Sequence, residues 1–165
     1  IWLLRHTKAS HEPRYAADVD RPITGRGKHD AIHVGEWMQA CELRPDLVLV
    51  SPALRALQTS DQVLGALNYD GDVRRADWLY PGESGESLEE LRRLEDRVEQ
   101  VLLVGHNPHM TYFGSMLCAN GAAELTVRTG AVQLLAADVD SWMALGAGQA
   151  ELEGLVWPGI LPPYT

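Results

Sequence analysis

The chain has 165 residues, 45% of them hydrophobic and 22% charged, the size and balance of one globular domain with a real core. Its net charge of -9 argues against general nucleic-acid binding, which needs a basic face, and means that an anionic substrate must be drawn in by local positive charge. No apolar run approaches the ~20 residues of a membrane helix. Cys41 and Cys118 fall in apolar helical patterns and read as buried thiols, which suits a reducing cytoplasm better than a disulfide framework.

Ile1-Trp2-Leu3-Leu4 is an apolar run that stops abruptly at Arg5-His6, the pattern of a buried strand. The polar stretch from His11 to Pro22 reads as a loop, and a loop directly after a site strand is a natural part of that site. Thr24 is placed to cap a helix whose apolar stripe is Ala31, Val34, Met38 and Cys41. Leu47-Val48-Leu49-Val50 is a second strand. Ser51-Pro52 then opens a second helix, with Ser as cap and Pro in the first turn, carrying Ala53, Leu57, Leu64 and Leu67 inward. Arg55 lies in its first turn, unfavourable beside the helix dipole unless the Arg serves an anion there.

Val73 to Leu79 forms a weak strand pattern, and Pro81 to Gly85 is a loop. Ser87 is the expected cap of a third helix bearing Leu88, Leu91, Leu94 and Val98. Val101-Leu102-Leu103-Val104 is the third clear strand. After it come Gly105 and His106, then Asn107 as cap and Pro108 in the first turn of a helix with Met110, Phe113 and Leu117. Ala131 to Val139 and Gln149 to Val156 close the chain as strands, the last antiparallel. Alternating strands and helices specify βαβ units, hence a three-layer α/β/α sandwich with a mostly parallel central sheet and a single domain over 1–165.

Three strands end in polar groups of one kind: Arg5-His6, Ser51 with Arg55 shortly after, and His106-Asn107. In a parallel sheet these ends gather at one edge, where ligands bind. Two guanidinium groups and two helix N-termini would there suit a tetrahedral dianion. A neutral imidazole can take a phosphoryl group covalently and release it to water, and such transfer asks mainly for positioning and charge stabilisation.

These residues resemble the histidine phosphatase superfamily, with its phosphoglycerate mutase-like fold, and within it the small SixA-like phosphohistidine phosphatases. Leu4-Arg5-His6 is similar to the family's Arg-His signature, and Arg21-Pro22-Ile23-Thr24 with Gly27 to its Arg-Pro-Leu-Thr…Gly element. Val50-Ser51-Pro52-Ala53-Leu54-Arg55-Ala56-Leu57-Gln58-Thr59 and Val104-Gly105-His106-Asn107-Pro108 resemble its remaining two blocks. The resemblance implies that His6 is the nucleophile, that Arg5, Arg55 and His106 bind the phosphoryl group, and that Thr24 or Asn107 adds a hydrogen bond. Thr7 departs from the Gly of larger members and is expected to narrow the turn after His6. For the proton donor the resemblance points to Asp77, with Glu83 and Glu86 as other candidates. Neither metal nor other cofactor is implied.

Little chain lies between Leu67 and Val101 to build a lid. The expected substrate is therefore a phosphohistidine on a protein partner, with small phosphate esters as the alternative and a non-catalytic phosphate-binding module as the second. His29 and His33, four apart around Asp30, nearly copy a zinc-protease helix, but no third ligand follows on that helix.

Overall fold

The computed structural model describes residues 1–12 and 15–162. Six strands form one sheet: β1 (Trp2–Arg5), β2 (Leu47–Val50), β3 (Asp72–Arg75), β4 (Val101–Gly105), β5 (Val132–Ala137) and β6 (Ala150–Val156). Their order is β3-β2-β4-β1-β5-β6. The first four run parallel, β5 is antiparallel to β1, and β6 is antiparallel to β5. The helices are α1 (Gly25–Ala40), α2 (Leu54–Ala66), α3 (Ser84–Arg92) and α4 (His109–Ala119).

Strand alternation divides the core in two. Trp2, Leu4, Leu102 and Val104 face one way and join Ala31, Val34 and Met38 of α1 and Val63 and Leu64 of α2. Leu3, Leu47, Leu49 and Leu103 face the other way and join Leu88 and Leu91 of α3 and Met110, Phe113 and Leu117 of α4. The result is the expected three-layer sandwich. It also explains why β1, β2 and β4 are apolar at almost every position: both faces are covered. α1 and α2 approach closely because Gly35 has no side chain, and a Cβ there would lie 2.3 Å from the Val63 carbonyl oxygen.

Five local expectations need correction. α2 begins at Leu54 with Ala53 at its cap position, so Ser51 and Pro52 precede the helix, and the Ser51 hydroxyl accepts from the Ala53 amide at 3.3 Å beside His106. Cys41 is exposed and Cys118 only half-buried; α1 ends at Ala40 and the chain turns back through Glu42 in the left-handed region, so its apolar stripe stops before Cys41. The weak strand at Val73–Leu79 is a four-residue edge strand, exposed throughout, followed by a 3₁₀ turn at Asp77–Leu79. α3 begins at Ser84 rather than after Ser87, leaving Ser87 buried inside it. α4 begins at His109 with Pro108 as its cap, so Asn107 is freed for another use.

Candidate active site

Sheet register builds the site. Arg5 is paired with Gly105 across β1 and β4, and the His6 amide donates to the Gly105 carbonyl at 2.9 Å. The next residue on each strand is a histidine. Two imidazoles thus leave adjacent parallel strands side by side, and their ring centroids lie 5.0 Å apart, close to the inter-strand spacing. On the other side of β4, the Ser51 amide donates to Val104, which brings the Ser51 hydroxyl within 2.7 Å of His106 Nε2.

Each group has a fixed anchor. His6 Nδ1 lies 2.7 Å from the Thr7 carbonyl. A carbonyl only accepts, so this nitrogen carries the proton and Nε2 keeps its lone pair. Arg5 Nη1 donates to the Val127 carbonyl at 2.7 Å, and the same oxygen accepts from Asn107 Nδ2 at 3.0 Å. Arg55, in the first turn of α2 and only 6% exposed, donates through Nη1 to the Asp18 carbonyl at 2.6 Å and through Nη2 to its Oδ2 at 2.8 Å. Arg21 Nη1 and the Tyr80 hydroxyl also donate to the Asp18 carboxylate, at 2.6 and 2.9 Å.

Arg5, His6, Arg55, His106 and Asn107 line one cavity of about 540 Å³ together with Lys8, His11, Asp18, Arg21 and others. Four cationic side chains and one carboxylate make it strongly positive within a chain of net charge -9. Arg5 Nε and His106 Nδ1 are buried without partners, so hydrogen-bonding capacity is left over beside the cavity. Burial first, then the guanidinium groups of Arg55, Arg5 and Arg21, push His6 down to about 4. Burial first, then His6 and Arg55, push His106 down to about 3. Both rings are therefore neutral at neutral pH. Burial raises the Asp18 acid, but the hydrogen bonds from Arg21, Tyr80 and Arg55 outweigh it and hold the carboxyl far below the usual range.

Other expected residues lie elsewhere. Thr24 caps α1: its hydroxyl accepts from the Gly27 amide at 3.0 Å and donates to the Lys8 carbonyl at 3.1 Å, outside the residues that line the cavity. Asp77 is not at the cavity either. Its exposed carboxylate accepts from Arg75 Nε at 2.7 Å, because the 3₁₀ turn carries it outward while Tyr80, three residues on, reaches Asp18. Glu83 and Glu86 are exposed and do not line the cavity. Thr7 does not crowd the turn. It is buried, its amide donates to Thr59 Oγ1, and the two hydroxyls sit 3.1 Å apart, which ties the loop after His6 to α2. Gly27 lets α1 meet that loop: a Cβ there would lie 2.3 Å from the Lys8 carbonyl oxygen.

Asp18 and Tyr80 are site residues that sequence reasoning missed; the one signal was the position of Asp18 three before Arg21 of the recognised element. His29 and His33 on α1 have ring centroids 6.3 Å apart, and His33 Nε2 lies 2.6 Å from the Pro162 carbonyl. Among the described residues, no three His, Cys, Asp or Glu side chains gather as a metal site, and no helix is long and apolar enough to cross a membrane.

Comparison with known proteins gives a consistent result. Residues 1–77 match the family model of the histidine phosphatase superfamily (branch 1). An uncharacterized Mycobacterium tuberculosis protein is 35% identical over 75% of both chains. Phosphohistidine phosphatase SixA of Escherichia coli is 31% identical over 72% of this chain and 73% of its own. A solved structure of the protein histidine phosphatase SixA complexed with tungstate superposes with a TM-score of 0.85, at 26% identity, over 98% of each chain.

Proposed function

The chain belongs to the histidine phosphatase superfamily, in its SixA-like branch, and from that premise we propose that it hydrolyses phosphohistidine on a protein partner through a phosphoryl-His6 intermediate. The observation that carries the reading is the convergence of His6, Arg5, Arg55 and His106 on one cavity. The whole of 1–165 is taken as one catalytic domain. A related SixA binds tungstate, a tetrahedral oxyanion of the shape that this cavity suits.

His6 Nε2 attacks phosphorus in line with the bond to be broken. The Thr7 carbonyl fixes the ring so that Nε2 is the bare nitrogen. Arg5, Arg55 and His106 hold the equatorial oxygens as charge moves between the two nitrogens. The substrate nitrogen takes a proton from solvent, the phosphorus–nitrogen bond breaks, and neutral imidazole leaves. Water then attacks phosphoryl-His6 and releases orthophosphate.

The leaving group explains how this chemistry proceeds with no carboxylic acid in place. An alcohol departs only with a proton supplied, whereas an imidazole of pKa near 6.5 leaves readily once protonated. Asp18 is no substitute, since its neighbours keep it ionised. The connection between β3 and β4 holds one 3₁₀ turn and a nine-residue helix, little material for a lid that would enclose a small metabolite. A phosphorylated side chain on a protein reaches such a site more easily.

The test compares turnover of a phosphohistidine protein with a panel of sugar phosphates. Higher kcat/KM on the protein is expected. Faster hydrolysis of the sugars moves the activity to small phosphate esters, and binding of phosphate with turnover of neither makes the domain a phosphate-binding module.

A further inference from the structure

A second concavity of about 330 Å³ adjoins the catalytic cavity, and Lys8 and Thr129 line both. Its other walls are Arg26 and Asp30 of α1, then Arg128, Trp157, Pro158 and Gly159. Asp30 is half-buried and pairs with Arg26 Nε at 3.6 Å. Lys8 and Arg128 are exposed, and neither pairs with a carboxylate among the described residues. The Arg128 guanidinium lies over the Trp157 ring, 5.2 Å from its centroid, an arrangement that holds the cation in place while leaving its N–H groups available.

We propose that this shelf of Lys8, Arg26, Arg128 and Trp157 docks an acidic segment of the protein substrate, next to the phosphohistidine that enters the cavity; the inference rests on the function proposed above. Charge complementarity carries it. The shelf has three cations against one carboxylate, in a protein whose net charge of -9 otherwise repels acidic partners. Continuity carries it too: Lys8 and Thr129 are walls of both concavities, so a chain that leaves the cavity past Lys8 meets Arg128 and Trp157. Arg and Trp on an exposed, partly apolar surface are the residue types that anchor partners. Exposed charge pairs of this kind act chiefly on capture rather than on the bond-breaking step.

Two synthetic phosphohistidine peptides of equal length test this, one with Glu and one with Gln at the flanking positions. With the wild-type protein, kcat/KM is expected to be about fivefold higher for the Glu peptide, the scale of a few exposed ion pairs, through KM rather than kcat. Added salt shrinks the preference. The double variant Arg26→Glu, Arg128→Glu loses it while turning over the Gln peptide as before, and Arg128→Lys retains part of it. Equal kcat/KM for the two peptides in the wild type, or a preference that survives in the double variant, overturns the docking surface and leaves the phosphatase reading intact. Hydrolysis of neither peptide, together with rapid hydrolysis of a sugar phosphate, overturns the phosphohistidine reading and the docking surface with it.

Discussion

Two of the three guanidinium groups that line the cavity, Arg5 and Arg55, are held by opposite means. On the β1 side, Arg5 is anchored by the Val127 carbonyl, a neutral acceptor shared with Asn107. On the α2 side, both Nη atoms of Arg55 are engaged by Asp18, one by its carbonyl and one by its carboxylate. A carbonyl orients a cation and leaves its charge available to an anion. A carboxylate orients it and competes for it. The β1 side therefore presents its charge uncompensated to a phosphoryl group, whereas on the α2 side the Asp18 carboxylate offsets the charge of Arg55.

Removing either cation is the coarse way to break this contrast. Arg5→Ala and Arg55→Ala are each expected to lower kcat/KM by about 10²–10³, as for loss of one oxyanion donor, measured on a phosphohistidine substrate. If Arg55→Ala were harmless, the contrast would vanish, because the carboxylate-held cation would then have no part in binding. Asp18→Asn sharpens it. Without the competing charge, tungstate or orthophosphate is expected to inhibit about tenfold more tightly, the ~1.4 kcal/mol scale of one relieved like-charge contact. Weaker inhibition in that variant would mean that Asp18 is needed to position Arg55 and not merely to occupy it.

The pH dependence follows from the lowered imidazoles. With an aryl phosphate, kcat/KM corrected for the substrate's own second ionisation at about 6 is expected to hold as pH falls below 6.5 and to drop only as His6 is protonated near about 4. A break near the ordinary imidazole value of about 6.5 contradicts a buried nucleophile flanked by cations. Stability falls earlier than activity. His6 and His106 favour their neutral forms in the fold, so their contribution is fully present above pH 6.5 and is lost as pH falls from there to about 4 for His6 and about 3 for His106. Unfolding in denaturant at stepped pH reads that loss. The smallest effect on activity belongs to Thr24→Ala, expected to cost about 1 kcal/mol of stability as a lost helix cap with KM nearly unchanged. A large rise in KM there would restore Thr24 to phosphate binding.

The same contrast separates what was legible in the sequence from what was not. His6, Arg5 and His106 follow strands whose apolar runs are unmistakable, and parallel register then decides where they meet. Arg55 was legible because a cation in the first turn of a helix is locally unfavourable. Asp18 was not: it opens a three-residue 3₁₀ turn, Asp18–Asp20, among other polar residues, and its meaning comes from Arg55, 37 positions away. Ser87 failed for the same reason. Its sequence neighbours make it a cap, but its hydroxyl lies 2.8 Å from His109 Nε2 on another helix. Asp77 stands at the position where the family resemblance places an acid, whereas that stretch of chain delivers the Tyr80 hydroxyl to Asp18 instead. Local pattern fixes the buried strands; where a helix begins, and which distant partner a Ser or Asn near its start finds, is settled by packing.

The central claim is that His6 carries the phosphoryl group during turnover. Rapid quenching of the enzyme with a labelled phosphoryl donor, followed by peptide mapping at alkaline pH, tests it most directly. An acid-labile phosphate on His6 that disappears in His6→Ala along with activity is expected. Label on another residue, or full turnover by His6→Ala, would contradict it.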